Sequence, residues 1–210
     1  MNTSAALRPG YGGGRPDPHA AALSASIGLW VFMGVATVLF ALFVTAYVMR
    51  MSGEDAVAIT LPWQLGLSTA LLAAGSAALQ ASASAARGVA MRRTRRLLLA
   101  GGLCALAFLL VQLWAWSALL SAQVMPAGNP GGSFFYLLTA VHGLHVAGGL
   151  AAWAWTARAA WHPAADLVGL GWRIALCARY WHFLLAVWAV LFAMLGWLTP
   201  EVARFICGTA

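Results

Sequence analysis

Long apolar runs alternate along the chain with short breaks rich in glycine, proline, arginine or carboxylate, and the runs are longer than the core helices of a soluble domain. Five of them read as membrane-spanning helices, over residues 24–49, 62–82, 97–121, 133–158 and 180–198. The expected fold is an all-α integral membrane protein, a bundle of five transmembrane helices within residues 24–210. Ahead of it, residues 1–23 are rich in Gly, Pro and Ala and lack the apolar centre of a signal peptide, so they read as a flexible cytoplasmic tail.

Composition agrees with the pattern. Of 210 residues 62% are hydrophobic and only 8% charged, more apolar surface than a soluble domain of this size can bury. The net charge of +7 comes from arginine alone, since the chain has no lysine. Placement makes this a topological signal rather than a nucleic-acid surface: Arg87, Arg92, Arg93, Arg95 and Arg96 lie between two apolar runs. Ten of the twelve arginines fall in the tail, the second-to-third loop and the fourth-to-fifth region, which predicts the N-terminus inside and the C-terminus outside. Trp63, Trp114, Trp116 and Trp197 would mark outer span ends, and Trp153, Trp155, Trp161, Trp172 and Trp181 inner ones, as an aromatic belt. The residues after the fifth span read as a short outer tail.

The fourth span, Ser133 to Arg158, is expected to be the hub of the bundle. Thr139, His142 and His145 share one of its faces, while Ala140, Gly143, Ala147 and Ala151 form a ridge suited to close helix packing. All five acidic residues, Asp17, Glu54, Asp55, Asp166 and Glu201, fall outside the spans, so a carrier moving protons through its own interior does not fit. Three intramembrane histidines remain, His142, His145 and His182. The first two have spacing that can share a metal, but no third ligand accompanies them. His182 is expected nearer the cytoplasmic end, a mismatch in depth that also works against a haem held between helices. They read as neutral, hydrogen-bonded structural histidines, with no metal expected. Cys104, Cys177 and Cys207 lie too far apart in this topology for a disulfide.

The motifs carry a resemblance. SFFYLLTAVHGLHVAGGL in the fourth span and YWHFLLAVWAVLF in the fifth resemble cytochrome c oxidase subunit III, in its short five-helix bacterial form. SIGLWVFMGVATVLFALFVTAY in the first span, LPW opening the second and QLWAW closing the third are similar to the same family. The resemblance implies a non-catalytic subunit of a haem-copper respiratory oxidase, multi-pass in the bacterial inner membrane, with no active site of its own. It would pack on catalytic subunit I, with subunit II in the same complex, and support oxygen reduction with electrons from cytochrome c or quinol.

The same resemblance implies that this chain binds no cofactor beyond phospholipid, haem and copper residing in the partner subunits. By motif position it assigns structural or lipid-contacting roles to His142, His145, Tyr180, Trp181, His182, Phe183 and Trp188. Two positions depart from the family pattern: Ala36 stands where many relatives carry glutamate, and Leu185 where the terminal motif has aspartate. Losing both carboxylates together avoids leaving one buried charge uncompensated. Two further readings stay open from sequence, an accessory protein of a related nitric oxide reductase or quinol oxidase, and a small b-type cytochrome.

Overall fold

The computed structural model describes residues 18–53, 60–125, 129–162 and 167–208, which form six helices and, among the described residues, no strand. They are α1 (Pro18–Met51), α2 (Gln64–Arg87), α3 (Met91–Ser121), α4 (Pro130–Ala160), α5 (Leu167–Trp197) and α6 (Pro200–Cys207). The first five are each long and apolar enough to cross a bilayer. Most of the expected tail, and Asp17, Glu54, Asp55 and Asp166, lie outside the described residues.

The helices extend past the apolar runs, mainly at the arginine-bearing ends. α1 already begins at Pro18, within the expected tail, and α5 begins at Leu167 rather than near Tyr180. The arginine-rich segment 83–96, read as a loop, is nearly all helix, with only Gly88, Val89 and Ala90 linking α2 to α3. Alanine and arginine are strong helix formers. Hydropathy finds where a helix meets the hydrocarbon edge, and these 31-residue helices rise about 46 Å, beyond a core of about 30 Å.

α2, α3, α4 and α5 form a closed four-helix bundle, each packed on its sequence or spatial neighbour, and α1 lies outside it against α4 and α5. Contrary to expectation α4 is not the sole hub, because α5 likewise touches three helices, α1, α2 and α4. The closest pair is α2–α3. A Cβ at Gly101 would fall 2.6 Å from Leu79 Cγ, and one at Gly75 would fall 3.2 Å from the Gly101 carbonyl oxygen, so two glycines permit this approach. Ser82 seals the pair by donating its hydroxyl to the Thr94 carbonyl at 2.9 Å.

Local chemistry sets the helix ends. Asn129 caps α4 by accepting from the Gly131 N–H at 2.7 Å, ahead of Pro130. At its other end Arg95 of α3 donates Nε to the Ala160 carbonyl at 2.9 Å, placing a cation at the negative end of the helix. The expected outer tail proves to contain α6. Thr199 caps it, Pro200 starts it, Glu201 sits in its first turn and Gly208, at φ 67°, closes it; Ala203 is its buried residue and α1 its support.

Candidate functional site

The seven motif residues do not converge on one point. The structure distributes them among the bundle core, a cleft beside α1, and the outer face of α2 and α5.

His142 and Trp188 occupy the core. Both are fully buried, their rings 5.2 Å apart, with Phe108 edge-on to each at 5.8 and 5.3 Å. Trp188 donates its indole N–H to Thr69 Oγ1 of α2 at 2.8 Å. Neither nitrogen of His142 has a hydrogen-bond partner among the described residues. The expectation of a hydrogen-bonded structural histidine therefore fails for this residue, whose neighbours are aromatic rings. Thr139, one turn earlier, does meet a partner, accepting the Trp116 indole N–H at 3.1 Å.

The cleft opens between the first half of α1 and the pair α4–α5, with a volume of about 650 Å³. Phe32, Leu144, His145, Gly148, Tyr180 and Trp181 are among its walls. His145 donates Nδ1 to the Val141 carbonyl at 2.8 Å, which leaves Nε2 as an acceptor on a ring lining the cleft. Tyr180 donates its hydroxyl to the His145 carbonyl at 3.1 Å and stacks on Phe183, which half-buries the latter. Trp181 and Tyr180 both press on Gly149, where a Cβ would lie 2.8 Å from the Trp181 ring. Gly149 is thus the close-packing glycine of α4. The predicted ridge is not: Ala140, Ala147 and Ala151 are exposed and Gly143 is half-buried.

α1 is held to this cleft by aromatic and guanidinium contacts. Phe32 and Phe40 lie 5.9 and 5.3 Å from the His145 ring, and Ala36, buried between them on the same helical face, is turned toward it. A carboxylate at position 36 would have faced His145; methyl and phenyl groups face it instead. Leu185, the other substituted position, packs half-buried against the core between Trp181 and Trp188. Near the start of α1, Arg179 of α5 donates Nη1 to Ser26 Oγ at 3.0 Å with its guanidinium 5.5 Å from the Trp30 ring.

His182 lies elsewhere. It is exposed on the outer face of α5, with Nδ1 2.6 Å from Ser76 Oγ and Nε2 3.2 Å from Gln80 Oε1, both on α2. The amide oxygen can only accept, so Nε2 carries the proton and Nδ1 accepts from Ser76. The three intramembrane histidines therefore have three separate environments. The tryptophans also divide: Trp63, Trp155 and Trp197 are exposed as belt residues, but Trp116, Trp153 and Trp181 are packing residues inside the bundle. Sequence reasoning had no signal for Gln80, Thr69 or Ser76, because hydroxyl and amide residues carry no hydropathy signature of partnership.

A polytopic helical membrane protein is the class that this fold and its buried imidazole and indole groups define. Over 97 residues, 44% of the chain, it is 34% identical to proteins named probable cytochrome c oxidase subunit 3 in Mycobacterium bovis and in two strains of Mycobacterium tuberculosis. No family model matches the chain. The match spans 45% of those relatives' length, less than half. These relatives bear out the resemblance read from the motifs: over those 97 residues the chain is similar to proteins named for cytochrome c oxidase subunit 3.

Proposed function

We propose that this chain is a non-catalytic, membrane-embedded subunit of a haem-copper respiratory oxidase of the cytochrome c oxidase type. It packs on the haem-bearing catalytic subunit, in a bacterial inner membrane with its N-terminus inside, and supports that subunit during oxygen reduction. Its own residues do no redox chemistry; they shape a cleft and an outer surface. The observation that carries the reading is the similarity to proteins named cytochrome c oxidase subunit 3, which agrees with the five-helix architecture.

A lipid acyl chain suits the cleft beside α1. Phe32, Leu144 and Gly148 offer it apolar walls, and the His145 ring sits among them. The arginine bias supports the orientation. Purification in mild detergent through a tag on this chain tests the function. A much larger haem-bearing subunit should co-purify with an oxidase spectrum, while the separated chain should be colourless. A coloured isolated chain, or a preparation without the haem-bearing subunit, would overturn it.

A further inference from the structure

The outer surface of the bundle is not uniform. α3 turns leucines outward, Leu103, Leu106 and Leu110 among them, and α1 turns out Val31, Val35 and Leu42, all bulky apolar groups suited to lipid tails. α2 and α5 differ. The outward residues of α2 include Ala70, Ala73 and Ala77, and those of α5 include Ala186 and Ala189. The two rows adjoin where His182 meets Gln80, so the alanine surface encloses an exposed imidazole–amide pair.

Depth decides what this pair requires. Gln80 lies seven residues before Arg87, about 10 Å along α2 from the arginine that marks the helix end. His182 lies about 22 Å along α5 from Trp197 at the opposite end. Both positions fall inside a hydrocarbon layer of about 30 Å. Gln80 uses its carbonyl oxygen on His182, and among the described residues its amide donors have no partner. Such donors facing lipid tails cost free energy that a covering protein with an acceptor removes. Alanines on both sides let a covering helix come close.

We infer that the α2–α5 face around Gln80 and His182 is the docking surface for the catalytic subunit, through a transmembrane helix that presents a hydrogen-bond acceptor to the Gln80 amide. This rests on the reading above that the chain is an oxidase subunit, and it specifies where the partner sits. The leucine face of α3 is left to lipid. The partner helix carries its bulky side chains against the alanines, since neither row of this chain fills the space itself.

Site-specific photo-crosslinking on the full chain in its native membrane tests the assignment. A benzophenone amino acid replaces Ala77, Ala186 or, as the contrasting position, Leu110. Positions 77 and 186 should give adducts with the haem-bearing subunit, and position 110 should give lipid adducts. Ala77→Phe, bulky on an outer face where it strains nothing inside the bundle, should leave insertion and yield unchanged while tag-purified material retains at least tenfold less haem. Haem-subunit adducts from position 110 with only lipid adducts from 77 and 186, or adducts of two copies of this chain at 77, would overturn the docking face while leaving the subunit reading intact. If the unmodified tagged chain brings no haem-bearing subunit with it, the subunit reading fails and the docking proposal falls with it.

Discussion

Trp153 of α4 lies so close to Gly102 of α3 that a Cβ at position 102 would fall 2.1 Å from the indole ring, while the same indole donates its N–H to the Leu98 carbonyl at 2.8 Å. One side chain thus both fills the α3–α4 interface and bonds across it. Gly102→Ala cannot be absorbed without moving the ring and should destabilise the bundle by about 1–3 kcal/mol. Gly148→Ala, where a Cβ would meet nothing within 4 Å, should cost nothing. Thermal unfolding in detergent separates them: a lowered transition for the first variant only.

Trp188 and Thr69 join α5 to α2 by a single hydrogen bond in the core. Trp188→Phe and Thr69→Val each remove it while retaining most of the volume. A double-mutant cycle should return a coupling of about 0.5–1.5 kcal/mol. A coupling of zero would mean that this bond adds nothing to an interface held by packing and by the His182 contacts to Ser76 and Gln80.

His142 presents the opposite case, a polar ring with no hydrogen-bond partner among the described residues. Replacing a buried unsatisfied group by an apolar one of similar size is nearly neutral or stabilising. His142→Leu should therefore unfold no earlier than the parent chain. A loss above about 1 kcal/mol would show that the imidazole is bonded in the membrane.

Arg179 ties α5 to the first half of α1 through Ser26 and Trp30. Arg179→Gln shortens the reach and removes the cation over the indole. Spin labels at Ala25 and Leu176, on opposite walls of the cleft, should give a broader and longer distance distribution in the variant. An unchanged distribution would place the anchorage of α1 in its aromatic contacts alone.

The acidic residues lie outside all five spans, so a carbodiimide that modifies buried carboxyls should label no spanning position of the parent chain. Ala36→Glu restores a carboxyl opposite His145 and should become labelled at position 36. Peptide mass mapping reads both results. Label within a span of the parent chain would contradict the assignment of spans.

Five spanning helices were legible in the sequence because hydrocarbon length and side-chain apolarity are properties of consecutive residues. The family motifs were legible for the same reason, as ordered strings around His142, His145 and His182. Pairing is another kind of information. Ala140, Gly143, Ala147 and Ala151 share a helical face by periodicity, but periodicity does not say whether a neighbour covers that face, and the covered glycine proved to be Gly149.

What the chain determined by itself is thus the number of membrane crossings and the absence of carboxylate from them. Only tertiary structure decided that Trp153 and Trp181 pack inside rather than anchor at an interface, that His182 turns outward to Gln80, and that α1 stands off the four-helix bundle to leave a cleft. The physical reason is that a helix of mostly apolar residues can enter a membrane on any of its faces. Which face meets protein is settled by close approach at glycines and by hydrogen bonds between residues far apart in sequence.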